Sequence, residues 1–442
     1  MLIFQCCALY LGRVKNKLAR IFFWAVAVRL SYLLIVYLIN PDGVVVYDSW
    51  GYLNLGFNLY HFQEFSQYSD GSFIPDSTRT PVYPLFISLF HLLGLGIWSL
   101  LIVQALISSL SVIVIIKITE FVQLGSKTQK VIALLLILDP VSIYFSSVVM
   151  SETIFCLLLY LSIYFFIKHR LMFASISLGL TVLCKPIAIY LLILFVVVLL
   201  IERKTKLKEL LIYAGLCFMI IGSWTYRNQQ VFGKTFISSI SEINFLFHTA
   251  TNIKSKATKR NPKEVEADYR SDLLGDLDWN ANSSIPIFME RARAEIKTQV
   301  ASHPDIFLKL YSRSFVMFFI KPLRSYFDEQ FGLSKAESIS GVNDSIPGPK
   351  QIISNSTWLS LTLSFIQLAI LIGIFIGMSM NIGGISFQNR HFWLFVSIIL
   401  YFAILSSISE VDARFRLPVF PLMIILGLSS VKVQNLIGEH RG

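Results

Sequence analysis

Ten apolar runs dominate the chain, at 21–39, 97–118, 131–148, 153–168, 171–184, 187–201, 209–224, 358–380, 391–408 and 417–432. A helix needs about 20 largely apolar residues to cross a bilayer, because only a helix or a closed barrel satisfies its backbone polar groups there. Of the 442 residues 55% are hydrophobic and only 15% charged, against roughly 25% charged in soluble domains. Mean hydropathy is +0.65. The expected fold class is therefore all-α and transmembrane: a multi-helix bundle of about ten spans, with interfacial helices and an extracytoplasmic segment.

Residues 171–184 and 187–201 are short for spans, and Pro186 divides them. Proline disfavours helix in the residue before it, so two helices turning at Lys185-Pro186 are expected rather than one kinked helix. That count puts the short basic segments on one side: Arg13 to Arg20, Lys168-His-Arg170, Glu202 to Lys208, Arg390-His391 and Lys432 to Arg441. Excess Lys and Arg in short loops marks the cytoplasmic side. The net charge of +11 is accounted for in this way, with anionic membrane lipid as its partner and no nucleic acid implied. Three regions follow: a transmembrane half at 1–224 with a first outer loop at 40–96, an extracytoplasmic segment at 225–357, and C-terminal spans with a cytoplasmic tail at 358–442. Residues 81–93 and 305–322 are apolar but too short or too charged to span, and suit helices lying in the interface.

The five cysteines show no Cys-x-x-Cys or Cys/His spacing, so neither a disulfide framework nor a zinc site is indicated. The N-terminus is apolar before it is basic, the reverse of a signal peptide, and no cleavage is expected. There is no P-loop, no GxGxxG, no GxSxG and no HExxH, hence no nucleotide-binding signature.

A sparse set of charges stands at the outer ends of the runs: Asp48, Arg79, Glu152, Lys185, Arg227, Arg414 and Arg416. An ionisable group beside hydrocarbon is a functional candidate by default, and both signs on one side suit a lipid-phosphate chemistry better than a pore. Asp48 in Tyr47-Asp-Ser-Trp-Gly-Tyr52 is a candidate general base for an acceptor hydroxyl; the plain alternative is a solvated or capping acid. Arg79 offers a planar fork of donors to a phosphate, and Lys185 a second cation; both could equally be snorkelling side chains. Glu152 opens a span, where the helix dipole alone favours an acid, or it holds an acceptor or orients a cation. Arg227 and Asn228, after Trp224, could reach a phosphate or a sugar. Arg414 and Arg416, beside Glu410 and Asp412, either pair with those acids or serve the same anion. His61, His248 and His303 show no ligand spacing.

At these residues the chain resembles the polytopic glycosyltransferases of the GT-C superfamily, in the branch holding protein O-mannosyltransferases and the bacterial aminoarabinose transferase of lipid A. The pieces come in the family's order: Asp48-x-x-x-Tyr52; Arg79-x-Pro81-x-Tyr83-Pro84; Pro140 and then Ser151-Glu152; Lys185-Pro186; Trp224-x-x-Arg227-Asn228-x-x-x-x-Gly233; and Arg414-x-Arg416-x-Pro418-x-x-Pro421. The resemblance implies a GT-C-like bundle and inverting transfer of a sugar from a polyprenyl-phosphate donor to a hydroxyl on a lipid, glycan or protein. It implies that Asp48 is the base, Glu152 the second-loop acid, Arg79 the basic phosphate-binding residue and Lys185 the Lys near the phosphate. The first-loop acid of the family is often one of an acidic pair; here Ser49 follows Asp48.

No cofactor is required by these residues and no metal site is indicated, although the acidic outer loops leave room for a divalent ion. The expected location is a bacterial inner membrane with the site facing the periplasm; in an endoplasmic reticulum, Asn282, Asn343 and Asn355 would open lumenal sequons. Three rival classes use similar charges. A transporter or flippase needs a charged path reaching both faces, which the nearly uncharged span interiors disfavour. A polysaccharide polymerase or ligase would show long chains in its product. A non-catalytic assembly subunit would tolerate substitution of the charges.

Overall fold

The computed structural model describes residues 2–68, 73–202, 205–321, 324–333, 357–382, 390–409 and 411–429, with backbone alone at a few of these, notably 2–15. Glu410, Asn343, Asn355, the end of the last expected span and the C-terminal tail lie outside the described residues.

The described chain is helical, with one isolated β-bridge, between Ser66 and Pro75. The first half runs α1 (Leu2–Ile39), α2 (Tyr47–His61), α3 (Val82–Leu92), α4 (Ile97–Phe121), α5 (Ser126–Ile137), α6 (Pro140–Ser147), α7 (Glu152–Ile167), α8 (Leu171–Cys184), α9 (Leu191–Glu202) and α10 (Leu207–Phe232). Short helices follow: α11 (Ile240–Asn244), α12 (Thr251–Thr258), α13 (Pro262–Asp268), α14 (Ser284–Ser302), α15 (Pro304–Ile320) and α16 (Arg324–Gln330). The last three are α17 (Trp358–Ile382), α18 (Arg390–Ser406) and α19 (Phe420–Leu428).

Among the described residues four helices are long and apolar enough to cross a membrane, within α1, α4, α10 and α17, and a fifth span forms if the bent pair α5–α6 counts as one. The other expected spans are apolar helices of 9 to 17 residues, so the described chain does not contain ten full-length spans. Three breaks explain the difference. Pro140 lacks an N–H, and the chain leaves helix at Asp139, bending α5 from α6 by 45°. The run 131–148, expected as one span, is thus broken, and the Asp139 carboxylate caps α6 through the N–H groups of Val141 and Ser142. At Lys185 the backbone is extended (φ −144°, ψ 119°), which ends α8 one residue before Pro186. In the other direction α10 continues past the expected end at 224, because no breaker occurs until Gly233 closes it at φ 71°.

The main core packs α7 against α8 and α4, α8 against α10, α1 against α4 and α17 against α19. Two crossings are tight enough to require glycine. A Cβ on Gly56 would lie 2.4 Å from Ile87 Cγ2, where α2 crosses α3. A Cβ on Gly377 would lie 2.1 Å from the Gly427 carbonyl oxygen, where α17 meets α19. Small residues let helix backbones approach closely in lipid, where packing rather than water exclusion drives association. A second, smaller core gathers Leu246, Val265, Tyr269, Phe288 and Met289 from α12–α14 and the turns around them. Helix α15 leaves Leu308, Val316 and Ile320 exposed while burying Phe318, the division of faces expected of an interfacial helix.

Buried polar groups also occur inside the bundle, where the sequence suggested almost none. Arg29, in α1, is 1% exposed. It donates from Nε to Ser108 Oγ (2.8 Å) and from a terminal nitrogen to Ser142 Oγ (3.0 Å). With Asp139, Thr153, Cys156 and Tyr160 it lines a cavity of about 40 Å³, room for one or two waters.

Candidate active site

The ends of α1, α6, α7 and α8 meet the segment between α1 and α3 at one end of the bundle. Val149 N–H donates to the Val44 carbonyl (3.0 Å), and Ser49 Oγ donates to the Val149 carbonyl (2.8 Å). Tyr52 OH shares a hydrogen bond with Ser151 Oγ (3.2 Å), and Thr80 Oγ1 donates to the Cys184 carbonyl (3.1 Å). These bonds lash α2 and the loop before α3 to the residues that carry Glu152 and Lys185. At the opposite end Lys17, on α1, meets Glu120, on α4, and Gln129, on α5.

Asp48 stands in the first turn of α2. Its carboxylate is held from both sides: an Arg79 terminal nitrogen donates to Oδ1 at 2.9 Å and an Arg414 terminal nitrogen to Oδ2 at 3.1 Å. Burial alone would raise this carboxyl, but the two guanidiniums outweigh it and hold it at about 2. The Asp48 side chain keeps 28% of its surface exposed, so the group is reachable. The Arg79 guanidinium lies over the Tyr52 ring, 4.7 Å from its centroid. The Nε atoms of both arginines are buried without a partner.

Glu152 and Lys185 form a second pair beside the first. Lys185 Nζ donates to Glu152 Oε1 at 2.6 Å; the Glu152 side chain is 3% exposed and that of Lys185 24%. Glu152 Oε2 is buried without a partner. Tyr52–Ser151 joins the two pairs, and Arg414 lies in the field of Glu152 as well as of Asp48.

Arg227 and Asn228 do not join Asp48 directly; they act on the loops. Arg227 donates to the Asp76 carbonyl (3.1 Å) and to Asn228 Oδ1 (2.9 Å). Its guanidinium sits among the Phe65, Trp224 and Phe232 rings, 5.0 to 5.3 Å from their centroids. Asn228, fully buried, donates to the carbonyls of Phe236 and Ile237. Arg416 departs from expectation. Expected beside Arg414 at an anion, it is instead 1% exposed and donates to the carbonyls of Phe318 (3.0 Å) and Lys321 (3.0 Å). It therefore fastens the C-terminal end of α15, while its near neighbour Arg414 reaches Asp48.

Several supporting residues escaped the sequence reading. The Asp76 carboxylate accepts from the Arg79 N–H (2.6 Å), the Thr78 N–H (2.9 Å) and Gln67, so it shapes the turn that presents Arg79. Its position before Ser-Thr is a recognisable turn signal. Asp412 accepts from the Arg414 N–H (2.9 Å) and from Tyr326 OH (2.6 Å), doing the same for Arg414. Gly51, in α2, leaves room for the Gln67 and Arg79 side chains, since a Cβ there would lie 2.7 Å from Gln67 Oε1 and 3.7 Å from Arg79 Nε. Among the described residues no three His, Cys, Asp or Glu side chains gather as a metal site.

Residues 78–226, about a third of the chain, match the family model of dolichyl-phosphate-mannose-protein mannosyltransferase. No curated protein matches. Among solved structures, ArnT from Cupriavidus metallidurans in the apo state aligns at 12% identity, covering 92% of this chain and 76% of that one, with a TM-score of 0.38. The family match carries Arg79, Glu152 and Lys185 and leaves Asp48, Arg227 and Arg414 outside it. Over residues 78–226 the chain is thus similar to a mannosyltransferase family, and its helices long and apolar enough to cross a bilayer make it a multi-pass membrane protein.

Proposed function

We propose that the protein transfers a sugar, with inversion, from a polyprenyl-phosphate donor to a hydroxyl on a lipid, glycan or protein at the outer face of a bacterial inner membrane. The observation that carries this reading is the Asp48 carboxylate held between Arg79 and Arg414 at the mouth of the bundle, beside Glu152–Lys185. Asp48 takes the proton from the acceptor hydroxyl. The acceptor oxygen bonds to the anomeric carbon as the bond from that carbon to the phosphate oxygen breaks, its electron pair going to the phosphate. Arg79, Arg414 and Lys185 meet the charge that develops there, in a site already organised for it. Glu152 holds Lys185 in place, and Arg227 with Asn228 fixes the loops that carry Arg79. No ligand group in this scheme has to be a metal.

The test is transfer by purified protein in detergent or nanodiscs, from a panel of polyprenyl-phosphate hexoses and pentoses to extracted envelope lipid and glycan, with products read by mass spectrometry. One sugar added, and loss of transfer in a folded Asp48→Asn enzyme, is the expected result. Wild-type turnover in Asp48→Asn would overturn the base assignment. Flux of lipid-linked sugar without product would overturn the reaction.

A further inference from the structure

The two arginines proposed to receive the phosphate are the same two that hold the base. Each gives one N–H to a different oxygen of Asp48, so both oxygens of the resting carboxylate are occupied. Both side chains also stay partly exposed, 19% for Arg79 and 31% for Arg414, and a guanidinium has five donors in all. An anion can therefore bind both arginines without first displacing Asp48. Other charges stand close to this pair of cations. Glu152 is paired with Lys185; Asp412 accepts from Tyr326 OH and the Arg414 backbone and lies 3.9 Å from Lys321; Asp76 accepts from the Arg79 N–H. Four carboxylates, Asp48, Asp76, Glu152 and Asp412, thus face four cations, Arg79, Lys185, Lys321 and Arg414, and a bound phosphate adds negative charge to a balanced cluster.

We propose that Asp48 is a guarded base: without donor, Arg79 and Arg414 suppress its proton affinity, and a lipid phosphate bound to those two arginines restores it, so that the donor binds before an acceptor hydroxyl can be activated. The inference rests on the assignment of Arg79 and Arg414 to the donor phosphate. Its physical content is linkage. Negative charge placed on the guanidiniums cancels the field that holds the carboxyl down, and a protonated Asp48 in turn favours the bound phosphate. The sign suits the whole cycle. A phosphodiester donor brings one negative charge. The departing polyprenyl phosphate carries more, between about −1.5 and −2 at neutral pH, so the proton affinity of Asp48 rises as the proton reaches it. When the lipid phosphate leaves, the arginines act on Asp48 alone again, its proton passes to water, and the base is reset.

The experiment uses wild-type protein and dicyclohexylcarbodiimide, which adds only to protonated carboxyl groups. Modification of Asp48 is followed by peptide mass spectrometry at neutral pH, with farnesyl phosphate as the probe and farnesol as its uncharged control. Binding of each is measured separately by protection against thermal unfolding. Relief of the carboxyl from about 2 to its ordinary 3.8 raises its protonated fraction about sixty-fold. Asp48 labelling is therefore expected to rise by tens of fold with farnesyl phosphate and not with farnesol, and to rise without any probe in Arg79→Gln or Arg414→Gln. Bound farnesyl phosphate that leaves Asp48 labelling unchanged or lowered would overturn the guarded base while leaving the transferase reading intact. No binding of farnesyl phosphate would overturn both.

Discussion

Lys185→Met isolates what the Glu152–Lys185 pair does for the fold from what it does for the chemistry. The two charges meet at 2.6 Å, a gross attraction of about 6 kcal/mol at an effective dielectric of 20, much of it offset by the desolvation of Glu152. Removing the lysine does not return that desolvation. Glu152 stays 3% exposed, with Oε2 already unpartnered, and an uncompensated buried charge costs about 3–5 kcal/mol. Glu152→Gln is milder. Lys185 keeps 24% of its surface in contact with solvent, and the glutamine carbonyl still accepts its hydrogen bond, so about 1 kcal/mol is lost. Thermal unfolding of the purified protein in detergent should rank wild type above Glu152→Gln, and Glu152→Gln above Lys185→Met. The double variant should recover much of the Lys185→Met deficit, because the stranded charge is gone. Transfer should not recover with it, since loss of one charge-stabilising donor costs about 10²–10³ in rate. Equal midpoints for the two single variants, or a double variant as unstable as the sum of the singles, would refute the reasoning.

The pH response of Asp48 has a definite sign. Its folded carboxyl is lowered to about 2 from 3.8, so its pairing contributes about 2 kcal/mol above pH 4. That contribution is lost as pH falls from 4 through 2, and acid unfolding of Asp48→Asn should be flatter than wild type in that window. Arg416→Met should lower the unfolding midpoint by stranding the Phe318 and Lys321 carbonyls, about 3 kcal/mol for two charge-assisted bonds, and leave farnesyl phosphate affinity unchanged; Arg414→Met should weaken that affinity. Gly56→Ala and Gly377→Ala should each destabilise by about 1–3 kcal/mol, because the new methyl meets Ile87 in one case and backbone in the other. An unchanged midpoint in either would show that the helices separate freely there.

Much of this fold could be read from apolar runs, because a bilayer leaves a hydrophobic segment few alternatives to helix. What those runs hid were the breaks. Asp139-Pro140 reads locally as a helix start, a capping acid followed by proline at the first helical position, yet it lies inside a run whose average hydropathy hardly notices it. Arg29 is masked in the same way: a single charge within 21–39 leaves the run apolar, and only the placement of Ser108 and Ser142 reveals that it is hydrogen-bonded rather than snorkelling.

The site depended on information of another kind. Glu152 and Lys185 lie 33 residues apart, Asp48 and Arg79 31, but Asp48 and Arg414 are separated by 366. Their shared position at the ends of apolar runs singles all five out as candidates, since charge beside hydrocarbon persists only where something compensates it. Which charge compensates which is a matter of backbone direction. Arg414 and Arg416 are two residues apart in a tight turn (Ala413–Phe415 is a 3₁₀ element), and that turn sends one guanidinium to a carboxylate and the other to two carbonyls. A basic pair in sequence therefore divides into one residue that can answer a phosphate and one that holds a helix. The same division separates Arg79, which donates to the Asp48 carboxylate, from Arg227, which donates to a loop carbonyl and to Asn228 inside an aromatic cage. The partner an arginine already holds, a carboxylate of the site or a carbonyl of the frame, is what marks it as facing substrate or holding the fold, and only the fold assigns that partner.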